Sequence, residues 1–156
     1  MVLLDDTRSI LERYGIQLPN GLSLIQLGKR VYLVGKDVFR LIERSKVKFE
    51  SIGIPLSKDT GLDVKLSTDG LQFLSHYTPE DSVVWVDLDA GYRFIQGGVI
   101  TVETDEEFKG QRYVIVGVKV DGESLVLGCG LAHVKNGRLV ILSQVPKERR
   151  LHEVQK

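Results

Sequence analysis

The first half of the chain alternates between the two hydrophobic periods of regular secondary structure. Apolar residues at strand spacing occupy 22–27 and 30–34, and the intervening Gly28-Lys29 predicts that the two strands form a hairpin. A helical period precedes this hairpin, with a cap at Asp5-Asp6-Thr7 and an end at Gly15. A second amphipathic helix follows it, and its apolar positions are Val38, Phe39, Leu41 and Ile42.

Two further strands and a third helix are predicted before residue 80. The stretch from Val47 to Leu56 has a strand pattern, and Pro55 predicts that its end lies at the edge of a sheet. Residues 62–66 alternate as another strand. A helix is predicted after the capping sequence Ser67-Thr68-Asp69, and the residues expected to be buried on it are Leu71, Phe73 and Leu74.

A turn-rich segment, Thr78-Pro79-Glu80-Asp81, marks a predicted domain boundary. We therefore predict an α+β domain over residues 1–82 and a mostly β domain over 83–156. The second domain is expected to begin with a strand at 83–86 and a short helix near 91–96.

Two dipeptides in the second half are typical of tight hairpin turns. Asp121-Gly122 follows the apolar strand 113–120, and Asn136-Gly137 precedes the strand 138–142. Both dipeptides suit turns that need positive φ at two central residues. Two short strands are predicted between these turns, so a small antiparallel barrel is expected.

The distribution of charge is more informative than its total. The chain of 156 residues has 21 basic and 21 acidic side chains. Residues 127–156 nevertheless hold six basic against two acidic residues, 83–126 hold four against eight, and 29–58 hold eight against three. Local basic surfaces of this kind attract phosphate even when the whole molecule is neutral.

Several functional classes lack their sequence signals. No apolar run approaches the roughly 20 residues that span a bilayer, so an intracellular, cytoplasmic protein is expected. Cys129 is the single cysteine, which excludes an internal disulfide, and no zinc-ligand spacing accompanies it. No Gly-rich phosphate loop or nucleophile elbow occurs, so we expect no catalysis, cofactor, metal or small-molecule substrate.

Two constellations represent the rival hypothesis of an enzyme. Cys129 would be a nucleophile with His133 or His76 as its base. Alternatively, Asp87 and Asp89 would form an acid pair, because residues two apart on a strand share one face.

Three blocks of the second half carry a family resemblance. They are residues 90–100 (AGYRFIQGGVI), 108–110 (FKG) and 127–132 (LGCGLA). In this order they resemble the PUA domain, the RNA-binding module named after pseudouridine synthases and archaeosine transglycosylases. The resemblance implies a PUA-type mixed β-barrel over residues 83–156.

Four stretches extend the resemblance over nearly the whole chain: 30–34, 47–53, 71–74 and 84–86. Their order is similar to that of one PUA family, the small ribosome-biogenesis factors of archaea and eukaryotes called Nip-seven. This implies a non-catalytic role in large-subunit assembly and ribosomal RNA processing. The implied partners are precursor ribosomal RNA and other assembly or RNA-processing proteins, in the cytoplasm or, in a eukaryote, the nucleolus or nucleus.

The candidate RNA contacts are basic side chains that can meet phosphates: Arg93, Lys135, Arg138, Lys147, Arg149 and Arg150. Arginine offers bidentate geometry to phosphate. Gly97 and Gly98 would allow close approach of an RNA backbone. Four aromatic residues are candidates for stacking on unpaired bases, namely Trp85, Tyr92, Phe94 and Tyr113.

A protein-interaction adaptor is the alternative function. In that case the first domain would dock an RNA-processing or RNA-modifying enzyme, and RNA contact would be secondary. The basic stretch from Arg40 to Lys48 would orient the partner electrostatically, as would four acidic residues of the second domain: Glu103, Asp105, Glu106 and Glu107.

Overall fold

The computed structural model describes residues 2–4, 11–46 and 48–151. The described chain is mixed α and β, with few helices and a curled, half-barrel sheet, so the α+β prediction is confirmed. No helix within these ranges has the length and apolar character to cross a membrane. By its internal contacts the chain divides into two units, Met1–Ser82 and Val83–Lys156.

The first unit is built on a five-stranded antiparallel sheet. In spatial order its strands are β1 (Val2–Leu4), β2 (Leu22–Leu27), β3 (Arg30–Gly35), β4 (Ile54–Asp59) and β5 (Val64–Leu66). The predicted hairpin around Gly28-Lys29 is confirmed by the pairing of β2 with β3. The helix predicted from Asp5 lies mostly outside the described residues, but its end is present as a 3-10 turn at Glu12–Tyr14, which Gly15 closes with a φ of 69°.

Helix α1 (Lys36–Glu43) covers one face of this sheet. Its buried side chains are Phe39 and Ile42, which pack with Ile25 and Val34. Val38 and Leu41 are exposed instead, so the prediction that they belong to the buried face is wrong. The buried face of α1 is therefore rotated by about one residue position around the helix axis, relative to the predicted face.

Helix α2 (Thr68–Phe73) contacts β4. The predicted cap is confirmed, because the Ser67 hydroxyl accepts a hydrogen bond of 2.9 Å from the backbone N–H of Gly70. Leu71 and Leu74 are fully buried as predicted, whereas Phe73 is 47% exposed. The helix therefore buries its aliphatic residues and leaves its one phenylalanine at the surface.

β4 is an interior strand of the sheet, but Pro55 lies at the end that β5 does not reach, so the predicted edge position is confirmed at this residue. β4 begins only at Ile54 and pairs with both β3 and β5. The register shifts so that Ser57 and Pro55 face consecutive residues of β3, which leaves Leu56 as the extra residue of a bulge. Proline has no N–H to donate, and a bulge is one of the few places where a sheet accommodates it. Val47, the predicted start of this strand, lies outside the described residues.

The second unit contains a mixed five-stranded sheet. In spatial order its strands are β6 (Val83–Val86), β8 (Arg112–Val120), β9 (Glu123–Lys135), β10 (Arg138–Ser143) and β7 (Val99–Glu103). β6 runs parallel to β8, and the other neighbouring pairs are antiparallel. β9 is one strand of 13 residues rather than the two short strands predicted.

Both predicted hairpin turns of the second unit are confirmed. Asp121 and Asn136 have φ angles of 50° and 53°, and the glycines that follow have φ of 78° and 73°. These successive positive φ values match the twist of the flanking strands, which is why Asp-Gly and Asn-Gly are favoured there.

Helix α3 (Leu88–Ile95) packs against this sheet and begins three residues before the predicted position. Asp87 is its N-cap, and its Oδ1 accepts a hydrogen bond of 2.8 Å from the N–H of Ala90. Asp89 lies in the first turn of the helix. The hypothesis that Asp87 and Asp89 share a strand face as an acid pair is therefore wrong.

We expect Asp87→Ala to lower the free energy of unfolding by about 1 kcal/mol, because it leaves the Ala90 N–H without its acceptor. Chemical denaturation followed by circular dichroism measures this loss. Asp89→Ala is the matched control, since it removes the same charge from the same turn without removing the cap. Equal losses in the two variants would show that charge, and not the capping hydrogen bond, stabilises the helix.

Candidate nucleic-acid interface

The candidate site is centred on the turn between α3 and β7. The N–H of Gly98 donates a 2.8 Å hydrogen bond to the carbonyl of Arg93, which closes the end of the helix. Gly97 has a φ of 89°, a backbone conformation that residues other than glycine rarely adopt. A Cβ atom on Gly98 would lie 2.9 Å from the Arg93 carbonyl oxygen. The conformation of the turn therefore requires glycine at both positions.

The end of β10 and the segment that follows it are attached to this turn by backbone hydrogen bonds. The N–H of Ser143 donates to the Gly98 carbonyl at 3.2 Å, and the N–H of Leu151 donates to the Ile95 carbonyl at 3.1 Å. Val145, between them, is buried in the core of the second unit. The last carbonyls of a helix lack partners within it, so the Leu151 bond also satisfies one at the end of α3.

Three predicted RNA contacts lie on this attached segment. Pro146 leads into a 3-10 turn at Lys147–Arg149, where both basic side chains are exposed. The Arg150 Nε donates to the Val145 carbonyl at 3.0 Å. Arg93, in the last turn of α3, is exposed as well. The fold therefore brings basic residues from two distant parts of the sequence to one turn.

Arg150 occupies the space that was predicted for an RNA backbone. A Cβ on Gly97 would lie 2.5 Å from the guanidinium carbon of Arg150, so this side chain rests directly on the glycine. Its position at the negative end of the α3 dipole favours a cation. An RNA backbone reaches Gly97 only if Arg150 moves, because the Arg150 side chain already packs against this glycine.

Lys135 and Arg138 lie elsewhere, at the opposite end of β10. This strand has six residues and spans about 17 Å at 3.4 Å per residue. Arg138 faces Lys135 on one neighbouring strand and Glu103 on the other. A depression of about 930 Å³ opens beside Arg138, and its lining includes Glu103, Asp105 and Glu106. Arg138 therefore has several carboxylates around it, and Lys135 lies opposite it on β9.

The aromatic candidates differ in their exposure. Tyr92 is 50% exposed and adjoins Arg93, whereas Phe94 and Tyr113 are buried. Trp85 is partly buried, and the Lys119 Nζ lies 5.0 Å from its ring centroid. Among these four residues, Tyr92 is the one whose ring is available to stack on a base.

The cysteine and histidines of the enzyme hypothesis belong to elements other than the turn between α3 and β7. Cys129 is 1% exposed in the interior of the second unit, where a substrate in solvent does not reach its thiol. His133 is partly buried on β9, and His76 belongs to the first unit. Within the described ranges, no three or more His, Cys, Asp or Glu side chains come together in a group that could hold a metal ion.

Comparison with known proteins adds no assignment. No protein-family model matches the chain, and no curated protein sequence matches it significantly.

Proposed function

We propose that this protein is a non-catalytic RNA-binding factor, and that Arg93, Lys147, Arg149 and Arg150 form its phosphate contacts. The observation that carries the proposal is the attachment of the C-terminal segment to the α3–β7 turn by the Ser143 and Leu151 hydrogen bonds. This attachment holds cationic side chains from both segments in one place. The Arg150 side chain is held by its hydrogen bond to the Val145 carbonyl, and a cation that is already ordered loses less freedom when it binds phosphate.

Single-stranded RNA is the substrate class that this surface suits best. Tyr92 is half exposed and precedes Arg93 in α3, and stacking on an aromatic ring together with phosphate contacts is how unpaired RNA is commonly held. In an A-form duplex the bases are stacked and the major groove is too deep and narrow for side chains to read. Loops and unpaired segments are therefore expected to bind more tightly than duplex.

The biological role that we propose is large-subunit ribosome assembly. It rests on the resemblance of the second half to PUA domains and of the whole chain to the Nip-seven family. Precursor ribosomal RNA would then be the ligand, in the cytoplasm or, in a eukaryote, the nucleolus. Lys135 and Arg138 have a secondary role in this proposal, because nearby carboxylates reduce their attraction for phosphate.

Binding of labelled single-stranded, hairpin and duplex RNA at several salt concentrations tests the proposal. Three or four phosphate contacts with a single strand predict a slope of about −2 to −3 in a plot of log affinity against log salt concentration. Single-stranded RNA is expected to bind more tightly than duplex. An absence of saturable binding at low salt would refute the proposal, and a slope near zero would refute the phosphate contacts.

A further inference from the structure

Three basic side chains stand in one line across the sheet of the first unit. Arg30 on β3 lies directly opposite Lys58 on β4, and Lys58 lies directly opposite Lys65 on β5. Residues that are directly opposite on neighbouring strands share one face of a sheet, and neighbouring strands lie about 4.8 Å apart. The three residues therefore form a line of about 10 Å, which we call the basic row.

Within the ranges that the structure describes, no side chain of the basic row forms an ion pair with a carboxylate. The carboxylates nearest in the sequence have other partners. The Asp59 Oδ1 accepts a 2.8 Å hydrogen bond from the N–H of Gly61, and the Asp63 Oδ2 lies 3.2 Å from an Arg13 guanidinium nitrogen. Two residues of the row are exposed and Lys65 is half-buried, so solvent and ligands reach these charges.

The basic row destabilises the sheet that carries it. Like charges directly opposite each other on adjacent strands repel, and Lys58 belongs to two such pairs. A bound anion replaces this repulsion by attraction, because each negative charge lies between positive ones. The hydrogen-bonded strands also fix the spacing of the three residues, and sites built on strands are more precise than sites on loops. The row therefore suits a linear array of negative charges.

We propose that the basic row binds consecutive phosphates of single-stranded RNA, as a second contact surface besides the turn between α3 and β7; this inference rests on the proposed function. A stacked nucleic-acid strand carries one phosphate per about 3.4 Å of its axis, so a line of about 10 Å meets about three phosphates. Interfaces with nucleic acid are much more positively charged than those between proteins, where lysine is depleted. Phosphate contacts supply affinity without a preference for sequence.

Replacing all three residues of the basic row by glutamine tests the proposal. The full-length variant is expected to bind a single-stranded RNA of about 30 nucleotides at least about tenfold more weakly at low salt, because three phosphates lose their cations. The slope of log affinity against log salt concentration is expected to fall in magnitude by about 2, since each phosphate contact with a single strand contributes about 0.7. In the unaltered chain this contribution adds to the slope from the turn. Fluorescence anisotropy measures both quantities.

The matched control is the triple replacement of Lys36, Arg40 and Arg44 by glutamine. It removes the same charge from the same unit, at exposed positions of α1 and its C-terminal end. The Asp37 Oδ1 lies 3.9 Å from Arg40, so these cations are not a row of unpaired charges. A change in RNA affinity of about threefold or less is expected. Equal losses in the two triple variants would show that binding follows overall charge, which would overturn the inference.

Lys58→Glu separates loss of the RNA contact from loss of the fold. A glutamate between Arg30 and Lys65 replaces two repulsive cross-strand pairs by two attractive ones, so the melting temperature is expected to rise by about 1–4 °C. RNA affinity is expected to fall at least about tenfold, since a carboxylate then stands among the phosphates. Thermal unfolding followed by circular dichroism measures the first change. A lower melting temperature would show that the three charges do not oppose one another, which would remove the basis of the inference.

The unaltered chain distinguishes failure of this inference from failure of the proposed function. If the unaltered chain and the glutamine variant of the basic row bind RNA equally well, the row is not an RNA contact and the proposed function stands on the turn. If the unaltered chain binds no RNA at low salt, both are refuted. Inorganic tripolyphosphate and a polyglutamate peptide are expected to bind more weakly than RNA. Binding of either one as tight as that of RNA, and lost in the row variant, would assign the row to a free polyphosphate or to an acidic protein instead.

Discussion

Replacing Lys147 and Arg149 by glutamate is expected to weaken single-stranded RNA binding at least about a hundredfold. A hydrogen bond to a charged group contributes about 1.5–3 kcal/mol, and about 1.4 kcal/mol corresponds to a factor of ten in affinity. Two such contacts are lost, and the new carboxylates repel phosphate. Anisotropy titrations measure the loss, and the salt slope is expected to fall in magnitude by about 1.4 because two contacts are removed.

The matched control for this variant is the double reversal of Lys135 and Arg138. These residues lie at the other end of β10 and have carboxylates nearby, so their reversal is expected to change affinity about threefold or less. Arg150 is left unaltered in both variants, because its guanidinium rests on Gly97 and holds the Val145 carbonyl. Equal losses in the two variants would show that binding follows overall charge and not the turn.

Phe94→Ala is expected to lower the free energy of unfolding by about 3–5 kcal/mol, the usual cost of removing a fully buried phenylalanine. Phe94 is 0% exposed and lies in the core of the second unit with Ile100, Val116 and Ile141. A Cβ on Gly130 would lie 3.2 Å from its ring, so the ring packs closely over this glycine of β9. The truncation leaves a cavity that the surrounding strands fill only partly. Urea denaturation measures the loss.

Phe73→Ala is the matched control, because it makes the same chemical change at a half-exposed position of the first unit. A change of about 0.5 kcal/mol or less is expected, as for other surface substitutions. A loss as large as that of Phe94→Ala would mean that Phe73 contributes to a core.

Local structure was largely determined by the sequence by itself. The Asp121-Gly122 and Asn136-Gly137 turns, the Ser67 cap and the ends of the β2–β3 hairpin all follow from preferences that act within a few residues. A turn that needs positive φ, or a helix N-terminus that needs an acceptor, selects its residues wherever the rest of the chain lies. Asp87, three residues before Ala90, is a similar cap, although its two-residue spacing from Asp89 also fits a strand.

Only the tertiary structure decided which apolar faces are covered and which basic residues meet. Val38, Leu41 and Phe73 have apolar patterns but lack a covering element, because burial depends on partners far away in the sequence. The six basic residues predicted to contact RNA lie in two separate places for the same reason. The backbone bonds of Ser143 and Leu151 bring residues 147–150 to the end of α3, while Lys135 and Arg138 remain at the far end of β10. A linear pattern records the type of each residue, and long-range packing and hydrogen bonding determine its neighbours.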